Sequence, residues 1–114
     1  MVDSSHIPVE TLPAEEQCWI RTDLAGFITD AEQICQRLLN LTLRGARGKE
    51  LLPFFVRNRF DIAGEMRGVL RTGVGSRRIS AEFMPRDRRR ASVEVSISKP
   101  NAQTLEWQFW LTGR

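Results

Sequence analysis

The sequence predicts an α+β domain, in which an antiparallel sheet is covered by helices on one face. Three runs of alternating apolar and polar residues, between residues 79 and 111, predict three consecutive strands. Two shorter runs near residues 18–30 predict a hairpin, and apolar residues at helical spacing fill much of the sequence between. Strand pairs that flank a block of helices are typical of α+β domains. The 114 residues suffice for one domain with one hydrophobic core.

Composition and charge exclude several other classes of protein. Hydrophobic residues make up 41 % and charged residues 27 %, which is ordinary for a globular domain and argues against disorder. No run approaches the ~20 apolar residues that a transmembrane helix needs, and residues 1–16 do not resemble a signal peptide. These features predict a cytoplasmic location. Cys18 and Cys35 are the only cysteines and His6 is the only histidine, which favours buried free thiols and argues against a metal site.

The first part of the chain predicts a lead-in followed by a hairpin. Residues 1–17, which contain two prolines and several acids, predict an N-terminal lead-in or capping segment, and residues 18–112 predict the domain. In the hairpin, Asp23 can bond to its own backbone two residues on, and Gly26 supplies the positive φ that ends a tight turn.

The next stretch predicts helices broken by turns. Asp30 is a suitable N-cap for a helix that ends at Asn40, a residue that tolerates the left-handed conformation. Residues 42–49 predict a basic linker, and Pro53 restricts the apolar run 50–56 to a short helical turn.

A longer helix is predicted to begin at Asn58 or Asp61. Its apolar face contains Ile62, Met66, Val69 and Leu70. Gly64 and Gly68 lie in its interior and have two interpretations: they allow the helix to approach the sheet closely, or they only weaken the helix.

The last strand contains two tryptophans of opposite register. Trp107 alternates in phase with the apolar residues, so it is predicted to face the core, where it packs or lines a ligand cleft. Trp110 is predicted to lie on the outer face of the sheet, and Trp19 is predicted to do the same on the first strand. Exposed aromatic residues in one patch indicate a partner surface, unless the N-terminal segment folds over them.

Several motifs, taken together in this order, resemble the PAS family of sensory domains over residues 18–112. They are residues 20–28 (IRTDLAGFI), residues 38–40 (LLN), residues 48–52 (GKELL) with the two phenylalanines after them, residues 85–88 (PRDR) and residues 93–96 (VEVS). The resemblance implies an α+β fold with a five-stranded antiparallel sheet, in the order 2-1-5-4-3, and helices packed on one face.

The resemblance also implies a ligand cleft between sheet and helices, and an outer sheet face that transmits signals. We expect the cleft to be lined by Phe55, Ile62, Met66, Val95, Trp107 and Phe109. Residues 57–71 offer no axial histidine for haem, and residues 41–56 offer no cysteine for covalent flavin. Both cofactors are therefore disfavoured, whereas noncovalent flavin or a small organic ligand is compatible with the sequence.

The sequence therefore predicts a sensory or regulatory domain of a signal-transduction protein, with no metal site and no catalytic residues. An enzymatic function is disfavoured, because with one histidine, in the predicted lead-in, the chain cannot assemble a nucleophile, a general base and a third residue that orients the base. We expect a homodimer that uses Trp19 and Trp110, with an output domain or partner protein outside this chain. This sequence is then either a sensor piece or a stand-alone domain.

Two alternatives remain at this point. The first is a ligand-free dimerisation and protein-interaction module with the same fold. The second, weaker one is a nucleic-acid-binding domain that uses the arginine-rich run 86–90. No aromatic residues are interleaved with those arginines for base stacking, so nucleic-acid binding is disfavoured.

Overall fold

The computed structural model describes residues 16–85 and 90–112 and shows a six-stranded antiparallel sheet in the order β2-β1-β6-β5-β4-β3. The strands are β1 Gln17–Thr22, β2 Ile28–Ala31, β3 Phe55–Arg57, β4 Ile79–Phe83, β5 Ala91–Asn101 and β6 Thr104–Leu111. The helices are α1 Cys35–Leu38, α2 Leu43–Ala46 and α3 Arg59–Thr72, with a 3-10 turn at Leu52–Phe54. The predicted α+β class and the order of the five predicted strands are confirmed, and β3 is an additional strand at one edge.

The centre of the sheet follows the predicted alternation closely. Strand β6 pairs with β1 on one side and with β5 on the other, so Trp107 lies opposite both Ile20 and Ile97. All three side chains are fully buried. Because successive side chains point to opposite faces, this register places one residue of every two in the core.

The N-terminal hairpin turns at Asp23 and Gly26. The Asp23 carboxylate accepts hydrogen bonds from the backbone N–H groups of Ala25 (3.0 Å) and Phe27 (2.9 Å). Gly26 has φ 91°, a left-handed conformation that glycine adopts without a steric penalty. Strand β1 already begins at Gln17, one residue before the predicted domain boundary, while residues 1–15 of the predicted lead-in lie outside the described residues.

The prediction that Asp30 caps a helix is wrong. Asp30 lies in β2 opposite Arg21, and its carboxylate accepts a hydrogen bond from the N–H of Ala31. Pairing with β1 therefore extends the strand through Asp30 to Ala31, and α1 starts only at Cys35 and has four residues. The turn after it is formed by Asn40, whose φ is 58°.

The predicted basic linker 42–49 is also wrong in part, because it contains α2. The Thr42 side chain accepts a hydrogen bond from the Gly45 N–H and so caps this helix. The short helical turn predicted around Pro53 is present as the 3-10 turn.

Helix α3 begins directly after Asn58, one of the two predicted starts, and ends at Thr72, before the left-handed Gly73. Its buried side chains, Ile62, Met66 and Val69, hold it against the sheet. A Cβ at Gly68 would meet no atom within 4 Å, and at Gly64 it would meet only the Arg67 side chain. The two glycines therefore do not serve a close approach to the sheet. None of the helices in the described ranges is long and apolar enough to cross a bilayer.

Candidate functional site

The inner face of the sheet is dominated by a cluster of aromatic rings. The Phe55 ring lies 5.9 Å from Phe109 and 6.2 Å from Trp107, stacked on both, and meets Phe83 edge-on at 5.2 Å. All four side chains are fully buried. Phe55 reaches this position because β3 pairs with β4, opposite Phe83. Such ring pairs stabilise a core beyond their buried area.

Trp107 also makes a buried hydrogen bond on this face of the sheet. Its indole N–H donates to the Thr22 hydroxyl (2.9 Å), and that hydroxyl donates to the carbonyl of Asp23 (2.8 Å). Thr22 is the only fully buried polar residue in the described part of the chain. The contact satisfies a buried indole, which would otherwise be costly, and joins the core to the hairpin turn.

The six residues predicted to line a ligand cleft are brought together in this core. They are Phe55, Ile62, Met66, Val95, Trp107 and Phe109, all of them buried. The cavities of about 680, 370 and 280 Å³ in the described residues have walls formed by other side chains. The predicted cleft residues are thus buried in one core cluster.

The two tryptophans of the predicted partner surface lie on the outer face of the sheet. Trp19 is opposite Gln108, and Trp110 is opposite Gln17, so the four side chains occupy the corners of a square. The tryptophans take one diagonal, and the two glutamines hydrogen-bond across the other (2.9 Å). The predicted single apolar patch is therefore divided by a polar contact.

Each of these tryptophan rings is covered by an arginine. The guanidinium carbon of Arg78 lies 3.6 Å from the ring centroid of Trp110, and that of Arg21 lies 4.2 Å from the centroid of Trp19. Both are cation–π contacts. The rings are consequently half-buried within their own domain.

The same arginines pair with acids on neighbouring strands. Arg21 contacts Glu106 at 3.1 Å and Arg78 contacts Glu94 at 3.3 Å. These cross-strand ion pairs hold the guanidinium groups over the rings. The sequence analysis did not predict these arginine–tryptophan contacts. Strand alternation identifies the face on which a side chain lies, but it does not identify which arginine lies above which ring.

Cys18 and Cys35 are buried free thiols. The Cys35 thiol donates to the carbonyl of Trp19 (3.3 Å). A hydrogen bond with the Cys35 side chain, together with burial, raises the pKa of the Cys18 thiol far above its usual range. A thiol in this state is a poor nucleophile and metal ligand. Among the residues that the structure describes, no cluster of metal-ligating side chains occurs.

Most of the arginine-rich run lies outside the described residues, which resume at Arg90. The Arg90 guanidinium contacts the Glu82 carboxylate at 2.8 Å.

Comparisons with known proteins give structural neighbours only. No protein-family model matches the sequence, and no curated protein matches it. The PAS-B domain of Drosophila melanogaster Cycle, solved with bound ethylene glycol, superposes with a TM-score of 0.74 at 9 % identity, covering 83 % of this chain and 99 % of that one. The PAS domain of the Cronobacter turicensis RpfR quorum-sensing receptor, in complex with BDSF, has a TM-score of 0.69 at 11 % identity, covering 90 % and 99 %.

A third neighbour is the PAS domain of an HTR-like protein from Haloarcula marismortui. Its TM-score is 0.68 at 18 % identity, and the match covers 84 % of this chain and 86 % of that one. The chain therefore has a PAS-like fold, as the sequence motifs indicated. At these identities the likeness establishes the fold and leaves ligand and partner to be argued from this chain's own residues.

Proposed function

We propose that this chain is a non-catalytic sensory or regulatory domain of PAS type, which transmits changes in its core to a partner through the outer sheet face. The observation that carries the proposal is the arrangement of β6. The buried Trp107 and the outer-face Trp110 are three residues apart on this one strand. The PAS-like fold, shared with domains of a quorum-sensing receptor and of Cycle, supports a signalling role.

The mechanical basis is the rigidity of a paired strand. The Trp107 ring is buried beside Phe55 and its indole N–H is bonded to Thr22 of β1, so a change in the position of the ring acts on both β6 and β1. Strand β1 is hydrogen-bonded to β6 along its length, so Trp19 moves together with Trp110. A change on the inner face therefore alters the position of both outer tryptophans relative to a bound partner.

Two forms of this function differ in what changes the core. In the sensory form, a small organic ligand separates the helices from the sheet and occupies the space between them. In the interaction form, which is a second candidate function, the domain has no ligand and its surface alone engages a partner. The stacking of Phe55 on Phe109 and Trp107 favours the interaction form, because a ligand there has to displace the Phe55 ring.

Absorbance spectroscopy and mass spectrometry separate these two forms. Protein purified under native conditions is denatured, and the released small molecules are identified. A stoichiometric organic ligand supports the sensory form. Its absence, together with a well-dispersed NMR spectrum of the purified protein, supports the interaction form.

For the partner, we propose a second copy of this chain bound through the outer sheet face around Trp110 and Trp19. The guanidinium covers are held by exposed ion pairs, which are weak and can be rearranged on association. The rings then supply the kind of aromatic contact that dominates protein interfaces.

Sedimentation velocity of Trp110→Ala tests this surface. The expected result is weaker self-association with an unchanged circular dichroism spectrum. Phe60→Ala is the matched control, since Phe60 is an aromatic residue on α3 that is 93 % exposed and lies away from the sheet. Self-association that survives Trp110→Ala, or that is lost only in Phe60→Ala, would overturn the proposed surface.

Nucleic-acid binding is the least supported alternative. It depends on residues 86–89, which lie outside the described residues, and the adjoining Arg90 already pairs with Glu82. Phosphate binding by arginines requires an affinity that falls steeply with salt. A titration that finds no such affinity removes this alternative.

A further inference from the structure

A second candidate site, which we call the end cavity, lies at one end of the sheet. It is a cleft of about 370 Å³ between the C-terminal end of α1 and the adjoining ends of β1, β5 and β6. Its walls contain none of the six side chains of the predicted ligand cleft. The volume lies within the range of small-molecule sites in proteins.

Two guanidinium groups contribute to the walls of the end cavity. Arg37 contacts the Glu16 carboxylate at 3.2 Å, and Arg90 contacts Glu82 at 2.8 Å. The side chains of Arg37 and Arg90 are 65 % and 61 % exposed. Ion pairs this exposed are weak, so an incoming anion can replace a protein carboxylate at little net cost. Arginine is the side chain best suited to bind a planar carboxylate through two parallel hydrogen bonds.

Three neutral polar side chains line the same cavity. They are those of Asn40, Ser92 and Thr112, and none of them makes a hydrogen bond within the described residues. Their backbone positions are fixed. The Thr112 N–H donates to the Ser92 carbonyl (2.8 Å), and Asn40 is held in the left-handed conformation. The cavity thus offers polar side chains that no described residue satisfies.

The rest of the wall consists of the Glu16 carboxylate and the apolar side chains of Leu38, Leu39, Ala91 and Leu111. Leu38 and Leu39 of the α1 end are buried, and Leu111 lies at the end of β6 in the same register as the core residues. The cavity thus has a larger polar part and a smaller apolar part, so it can contact both ends of a small organic molecule that carries a charged group.

We propose that the end cavity binds a small organic carboxylate, whose anionic group meets Arg37 and Arg90 and whose short apolar body lies against the leucines. A bound carboxylate displaces the Glu16 side chain from Arg37. Glu16 precedes β1, so the occupied site changes contacts at the start of the first strand. The proposal rests on the end cavity alone and is independent of the proposed function.

NMR titration with hexanoate tests the site. The expected result is saturable shifts of the backbone amides of Asn40, Ser92 and Thr112. Acetate carries the charge without the apolar body, and 1-hexanol carries the body without the charge. Both are expected to bind at least roughly tenfold more weakly, because recognition requires both parts.

Arg37→Gln and Arg90→Gln are each expected to weaken hexanoate binding by roughly tenfold, the loss typical of one charge-assisted hydrogen bond. Arg71→Gln is the matched control, because this exposed arginine on α3 does not line the end cavity. Ser92→Leu fills the cavity while keeping both guanidinium groups, and is expected to abolish binding.

Hexanoate shifts that do not saturate, that 1-hexanol reproduces, or that persist in Ser92→Leu would overturn the proposal. A dispersed amide spectrum of each variant shows that its fold is retained, so loss of binding is assigned to the site. Self-association of the wild-type protein is measured in the same samples. A dimer without hexanoate binding overturns only the end cavity, and hexanoate binding without a dimer overturns only the proposed partner surface.

Discussion

The inner and outer faces of β6 show how differently one residue type is used within a single strand. Trp107 is fully buried, stacked on Phe55, and bonded through its indole N–H to Thr22. Trp110, three residues later, is half-buried under the guanidinium of Arg78. The Trp107 ring is held in place by packing and by one hydrogen bond. The Trp110 ring is held in place by an electrostatic contact that is open to water.

The two environments differ in how much free energy a contact contributes. Burial of a large aromatic side chain contributes several kcal/mol, and the loss of its hydrogen-bond partner adds a desolvation penalty. An exposed cation–π contact contributes about 0.5–1 kcal/mol and weakens as salt screens the arginine's ion pair. The stability of the fold is therefore concentrated on the inner face, and the outer face can vary or bind a partner without unfolding the domain.

The largest expected effect comes from truncation of the inner tryptophan. Trp107→Ala is expected to lower the free energy of unfolding by about 3–5 kcal/mol, because it removes the ring and leaves a cavity among aromatic residues. Trp110→Ala is expected to lower it by less than about 1 kcal/mol in the monomer. Urea unfolding of both variants at low protein concentration measures the difference. Equal losses would show that the two faces do not differ in this way.

The next effect concerns the buried hydrogen bond. Thr22→Val preserves the side-chain shape but leaves the Trp107 N–H without an acceptor, so a loss of about 1–3 kcal/mol is expected. Thr29→Val is the control, since Thr29 lies exposed on β2 and bonds only to the Arg21 carbonyl at 3.3 Å. A Thr22→Val variant as stable as the control would mean that the indole N–H finds another acceptor.

The buried Cys18 thiol should also make the free energy of unfolding sensitive to alkaline pH. The Cys35 side chain and burial raise the pKa of Cys18, so the folded thiol keeps its proton where the unfolded thiol, with a pKa of about 8.5, loses it. Unfolding therefore releases a proton above about pH 8.5, and the contribution of this thiol falls as pH rises beyond that value.

Urea midpoints at neutral pH and at about pH 9.5 test this dependence. The wild-type protein should lose more stability over this range than Cys18→Val, which has no thiol to titrate at that position. Parallel losses in the two proteins would contradict the assignment to Cys18.

The smallest expected effect is on the outer face. Arg21→Gln removes both the ion pair with Glu106 and the cation over Trp19, yet the Arg21 side chain is 42 % exposed. The expected loss is at most about 1 kcal/mol and should shrink at high salt. The measurement is urea unfolding at low and high ionic strength. A salt-independent loss as large as that of Thr22→Val would place Arg21 among the core contacts.

The parts of the fold that the sequence predicted are those with long, regular alternation. The three C-terminal strands and the inward register of Trp107 follow from a period of two that extends over many residues. Asn58, directly before α3, and Asn40, at the turn after α1, both adopt the left-handed conformation, which follows from a local preference of asparagine.

The missed elements are short and depend on tertiary pairing. Strand β3 has only three residues and exists because it pairs with β4, which places Phe55 opposite Phe83. Asp30 has the chemistry of a helix cap, but pairing of β2 with β1 takes precedence. For the candidate site, sequence reasoning identified which side chains share the inner face. It could not determine how tightly they pack, because packing depends on the positions of β3 and α3.

The arginine cover of the outer tryptophans also has an optical consequence. The chain has three tryptophans, and only Trp107 is fully shielded from water. Iodide ions are attracted to guanidinium groups, so they should collect beside Trp19 and Trp110 and quench their fluorescence, while the blue-shifted emission of Trp107 persists. The unmodified protein therefore has two separable components of tryptophan emission, one that reports on the core and one that reports on the outer face of the sheet.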